Sequence, residues 1–189
     1  MRPSTTMRRR PQRSSGFTLI EVAVVIFIIG ILATLVTLSI GNRSLDDRLE
    51  NESMRMEQLL RLAQEDAQLK GIVIGVRFTQ SGYQFLVLDD KNHWVDYAQS
   101  GTLRARRMAD PFFADLQVEG RMVPPAQDAS AGGLDEEAQR KIKPQVLLLP
   151  GGESTAFAVD VLAPRYRIYY HIEADALGRL GRERRMIAQ

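Results

Sequence analysis

A carboxylate, Glu21, stands four residues after Phe17 at the head of an otherwise apolar run, and Gly16 comes immediately before that Phe. Placing a lone carboxylate in hydrocarbon is costly, and such residues normally have a partner of opposite charge. Hydrolysis of the Gly16–Phe17 peptide bond would create that partner, a new amino terminus at Phe17 with Glu21 as the fifth residue of the shortened chain. In a bundle of staggered helices, the amine of one copy can neutralise the Glu21 of its neighbour, which turns an expensive charge into a docking contact. Gly16, Phe17 and Glu21 are therefore the residues with chemistry to do, and that chemistry is processing and assembly rather than catalysis.

Other reactive side chains form no constellation. The chain has no cysteine, which excludes disulfide and thiol chemistry, and its two histidines, His93 and His171, are too few for a His-rich metal site. Gly151-Gly152-Glu153-Ser154-Thr155 lacks the Lys and the spacing of a phosphate loop and reads as a hairpin turn. Ser154 and Thr155 have no evident base or acid partner. His171, within YRIYYHIE, is expected at a core or cross-strand position, and Trp94 beside His93 as a core or rim anchor. Asp89-Asp90 is too small a ligand set for calcium and reads as a solvated turn. No catalytic residue, metal or cofactor is expected.

Gly181-Arg182-Glu183-Arg184-Arg185 clusters guanidinium groups that suit phosphates. Glu183 interrupts the cluster, so a solvated tail or a contact to an acidic neighbour subunit is the expected role. A DNA contact through Arg182, Arg184 and Arg185 is the alternative.

The elements that must carry these residues follow from charge and periodicity. From Val22 to Asn42 there is no charged residue, and with Phe17–Ile20 in front the apolar stretch reaches about 24 residues, enough to cross a bilayer as a helix. Five arginines lie within residues 1–16, with no acid among them. The positive-inside rule then puts the N-terminus in the cytoplasm and the rest outside. A conventional signal peptide would carry its small-residue cleavage site after the apolar run, whereas here Gly16 precedes it. The net charge of +2 belongs to the leader, since the remainder holds 20 basic and 23 acidic side chains, a balance that gives little support to nucleic-acid binding.

Beyond the anchor, Leu45, Leu49, Met56, Leu59, Leu60, Ala63 and Ala67 fall near helical spacing and predict an amphipathic helix to residue 70, with Gly71 as its C-cap. The period then shortens. Strands are predicted at 72–79, 83–88 and 93–98, with weaker candidates at 102–108 and 112–123 separated by a break at Asp110-Pro111. Residues 124–145 read as a mobile loop, with a short helix at 134–142. Further strands are expected at 146–149, 156–162 and 166–173, and an Arg-rich end at 176–189. The fold class is α+β, a long N-terminal helix packed on an antiparallel β-sheet domain.

The run Gly16-Phe17-Thr18-Leu19-Ile20-Glu21, its basic leader and the apolar stretch behind it resemble the prepilin processing motif of type IV pilins and type II secretion pseudopilins. The order of strands, the variable loop and P-Q-V-L-L-L-P-G-G-E-S with two closing strands resemble the H-type minor pseudopilins of the GspH/FimT group. The leader is somewhat long for that class.

The resemblance implies a pilin-like fold. It also implies cleavage between Gly16 and Phe17 by a membrane aspartic peptidase that N-methylates Phe17, with Glu21 as the assembly glutamate. The implied organisation is a cleaved leader at 1–16, a transmembrane helix at 17–40, its amphipathic continuation at 41–71 and a periplasmic β domain at 72–189. The implied role is a non-enzymatic structural subunit of the type II secretion pseudopilus in a Gram-negative inner membrane. Its partners would be other major and minor pseudopilins, the prepilin peptidase/N-methyltransferase and the inner-membrane assembly platform. FimT-like minor pilins bind DNA through a basic C-terminal tail, which makes DNA uptake the alternative.

Overall fold

The structure, a computed structural model, describes residues 19–97, 101–128 and 142–187, with the backbone alone for 33–44. The predicted leader, the cleavage junction and the predicted short helix, save for its last residue, lie outside the described residues. Helix α1 runs Leu19–Lys70. The chain forms two compact units, Met1–Arg43 and Ser44–Gln189.

In the first unit, the described side chains Leu19–Leu32 are exposed all around the helix. Among the described residues no helix is long and apolar enough to cross a membrane. Residues 17 and 18 and the side chains of 33–40, which complete the predicted span, lie outside them.

In the second unit the predicted apolar stripe is the buried face of α1, comprising Leu49, Met56, Leu59, Leu60, Ala63 and Ala67. Leu45 packs against it partly buried. The helix ends as predicted. Gly71 takes a φ of 65°, and the Ile72 amide donates to the Ala67 carbonyl at 3.1 Å, the six-to-one bond of a Schellman cap.

Ten strands follow among the described residues: β1 Ile74–Phe78, β2 Gly82–Leu88, β3 Trp94–Asp96, β4 Arg106–Arg107, β5 Phe113–Val118, β6 Arg121–Val123, β7 Val146–Leu148, β8 Phe157–Leu162, β9 Ile168–Ala174 and β10 Leu180–Met186. They make two five-stranded antiparallel sheets. The first has the order β3-β2-β1-β7 with β4 also on β2, and the second the order β10-β9-β8-β5-β6.

Alternate residues of each sheet enter one core with the helix stripe. Ile74, Val76 and Phe78 lie beside Val87, Phe85 and Tyr83, and Phe157, Val159 and Val161 beside Ala174, Ile172 and Tyr170. A fully buried Val, Ile or Phe side chain among these stabilises the fold by about 1.5–3 kcal/mol. The Tyr83 ring stands edge-on to Phe85 at 6.1 Å, and burial pushes its hydroxyl pKa up to about 12.

Three expectations are corrected. The stretch 112–123 is not one strand but the hairpin of β5 and β6. It turns at Glu119 and Gly120, with φ of 51° and 75°, a turn that Glu disguises in the sequence. At 102–108 only Arg106–Arg107 pairs. The Arg-rich end is not a solvated tail, since Leu180–Met186 pairs along the whole of β9.

The segment 124–145 is pinned at both of its ends. The Ala126 amide donates to the Phe78 carbonyl at 2.9 Å, and Gln80 returns a bond to the Ala126 carbonyl. From the other end, the Gln145 side-chain amide grips the same peptide link. Its Oε1 accepts from the Phe78 N–H at 2.8 Å, and its Nε2 donates to the Phe78 carbonyl at 3.0 Å. Gln145→Leu leaves that N–H without its acceptor. The expected cost is about 1–3 kcal/mol, read as a lowered thermal midpoint by circular dichroism.

Candidate functional site

Glu21 is the third described residue of α1, at the head of its apolar stretch. The described side chains that follow it to Leu32 are exposed and, apart from Gly30 and Ala23, large and apolar. A helix apolar on all sides belongs in an apolar medium. Gly16 and Phe17 lie outside the described residues.

The C-terminal arginines are spread over both faces of β10. Strand alternation turns Arg182 and Arg184 toward α1 and Glu183 and Arg185 to the opposite face. Arg182 Nε meets Glu57 Oε2 at 3.1 Å, its Nη1 donates to Ser53 Oγ at 3.2 Å, and its guanidinium stands 5.0 Å from the Tyr170 ring centre. Arg184 donates to Asp46 at 3.0 Å and Arg185 to Glu183 at 3.0 Å. Hydrogen bonding to Asp46 raises the Arg184 pKa, and bonding to Glu183 raises that of Arg185.

Glu57 and Asp46, the carboxylates that receive Arg182 and Arg184, were not singled out in the sequence. Their signal is nevertheless there. Asp46, Ser53, Glu57, Arg61, Gln64 and Gln68 keep helical spacing in a polar stripe beside the apolar one. Arg61 reaches the Leu180 carbonyl at 2.8 Å and Gln64 the Gly178 carbonyl at 2.9 Å.

The remaining candidates are structural. His171 is buried at a cross-strand position, its Nδ1 2.5 Å from Asp160 Oδ1 and its Nε2 3.2 Å from Glu173 Oε2. Asp89 Oδ1 accepts from the amides of Lys91 and His93 and so closes the β2–β3 turn, and those bonds lower its pKa. The 151–155 segment is a turn beside β7, with the Thr155 amide bonded to the Leu147 carbonyl.

Near the end of α1, Asp66 accepts from the Tyr97 hydroxyl at 2.7 Å and from Lys70 at 3.0 Å. These bonds, Tyr97 first, hold the Asp66 carboxyl below its ordinary value of 3.8. A depressed carboxylate pKa contributes stability that is present above the unfolded value and lost as the pH falls through the folded one. Asp66→Asn should therefore lower the urea midpoint at neutral pH. The gap from the parent chain should close as the pH falls below 3.8.

Comparison with known proteins agrees with this geometry. Residues 11–37 match the prokaryotic N-terminal methylation motif. The chain resembles the minor pseudopilin EpsH of the type II secretion system of Vibrio cholerae, with TM-score 0.56 and 21% identity over 72% of this chain and 93% of that one. It also resembles GspH of E. coli, with TM-score 0.52 and 18% identity over 72% and 88%. Motif and fold together define a pilin-like protein with an N-terminal methylation signal.

The chain is 32% identical to the type II secretion system protein H of Aeromonas hydrophila over 174 residues, 90% of this chain and 94% of the relative. It is 31% identical to that of Pseudomonas aeruginosa over 145 residues, 76% and 80% of the two chains. The chain belongs to the type II secretion system protein H family.

Proposed function

We propose that this chain is a minor pseudopilin, a structural subunit of the type II secretion pseudopilus that helps export folded proteins across the outer membrane. The observation that carries this reading is the likeness to the type II secretion protein H of Aeromonas hydrophila across 90% of the chain, from its N-terminal signal through its β domain. The chain catalyses nothing. It is a substrate, cut between Gly16 and Phe17 by the prepilin peptidase, which then methylates the Phe17 amine. Glu21 pairs with that amine on a neighbouring subunit. The apolar helix anchors the chain in the inner membrane with its N-terminus in the cytoplasm and its β domain in the periplasm, beside other pseudopilins and the assembly platform. The inward-turned, carboxylate-bound Arg182 and Arg184 favour this reading over a DNA-uptake pilin.

Co-expression with a prepilin peptidase tests it. The mature N-terminus, read by mass spectrometry, is expected at a methylated Phe17. A chain that stays uncut beside an active peptidase would sink the reading.

A further inference from the structure

We propose that β10 is an electrostatically latched strand that opens ahead of the rest of its domain, with ionic strength setting how often it does so. The inner faces of its neighbours are apolar, with Val159 and Val161 on β8 and Tyr170 and Ile172 on β9, all buried. At the same layer β10 presents Arg182 and Arg184. Only Leu180, at its start, is a buried apolar side chain, and Met186 is 62% exposed. Burial of apolar area, the main force holding the other strands, is therefore nearly missing here.

What replaces it is polar. β10 is at the edge of its sheet and bonds to β9 on one side. The Ile187 amide donates to the Arg167 carbonyl at 2.8 Å. In an antiparallel ladder, that bond places Gly181, Glu183 and Arg185 in the hydrogen-bonded positions opposite Glu173, His171 and Tyr169. The other side is held along five points of α1: Asp46 on Arg184, Ser53 and Glu57 on Arg182, Arg61 on the Leu180 carbonyl and Gln64 on the Gly178 carbonyl. Glu57 serves two of these points, since it also holds Arg61 at 2.9 Å.

Ion pairs weaken as salt screens them, most of all where they are open to solvent as Arg184–Asp46 is, whereas apolar contacts do not. The latch should therefore yield first. The same event bares the edge of β9 and the Tyr170 and Ile172 side chains beneath it.

Native-state hydrogen exchange on the full chain in detergent tests this, at about 0.05 M and about 0.5 M salt, a range over which screening tightens severalfold. The Gly181, Glu183, Arg185 and Ile187 amides should exchange about tenfold faster at the higher salt, the factor expected for losing a charge-assisted hydrogen bond. Those of β8 should hold their rate. Glu57→Gln should reproduce the fast exchange at low salt. The double variant Arg182→Leu/Arg184→Leu, which completes the apolar face and removes both ion pairs to α1, should slow it and abolish its salt dependence. Equal rates for β10 and β8 at both salts, or an equal acceleration of both, would overturn the proposal. So would salt dependence that survives the double variant.

Discussion

Gly178→Ala should lower the thermal midpoint of the second unit by roughly 10 °C, and Gly120→Ala by only a few degrees. The two glycines share a φ of 75°. Both substitutions therefore carry the same penalty of about 1–2 kcal/mol for a left-handed alanine. They differ in what the new methyl meets. Beside Gly120 there is open space, whereas at Gly178 the methyl would fall on the Gly152 carbonyl oxygen, well inside van der Waals contact.

Neither backbone partner at Gly178 can swing aside as a side chain would. Gly178 closes its turn onto the Asp175 carbonyl at 2.9 Å, and its own carbonyl receives Gln64 of α1. Forced overpacking of this kind adds about 1–3 kcal/mol, and the total is a large share of a typical domain's stability. Differential scanning calorimetry of the two variants side by side separates the conformational term from the steric one. Equal shifts would show that the two turns do not crowd each other.

Glu21→Ala should leave the proposed processing intact and remove the chain from the proposed filament. If the Phe17 amine of one subunit meets Glu21 of the next, as proposed, the alanine leaves an uncompensated cation in an apolar bundle. Removing one partner of a buried pair costs about 3–5 kcal/mol, equivalent to a docking constant lower by about two to three and a half orders of magnitude. The readout has two parts. Mass spectrometry should still find a mature chain beginning at Phe17. Crosslinking in membranes should lose the adducts to neighbouring subunits that the parent chain forms. Undiminished crosslinking would remove Glu21 from the assembly contact.

The legibility of this chain followed its periodicities. The apolar stripe from Leu49 to Ala67, the cap at Gly71 and β1, β2, β8 and β9 were readable because alternation and helical spacing report directly on burial. The hairpin of β5 and β6 was not, because its turn uses Glu119 with positive φ where sequence rules expect Asn or Asp. β10 was misread for a related reason. Its residues Arg182 and Arg184 face inward, and their partners, Glu57 and Asp46, lie more than a hundred residues upstream. Pairing at that distance leaves no local trace, so charge density was read as solvation. At the proposed processing site the types and spacing of Gly16, Phe17 and Glu21 carried the whole reading.

One carbonyl, that of Phe78, receives both ends of the 124–145 segment, from the Ala126 amide and from the Gln145 side chain. Ala126 and Gln145 are thus tied to a single backbone oxygen of β1, so the closure of the segment is set by β1 whatever lies between them. Lengthening a loop whose ends are already held costs only about 0.6 kcal/mol for each doubling. An epitope or fluorescent reporter inserted between those two ends is therefore expected to leave the thermal midpoint of the second unit nearly unchanged.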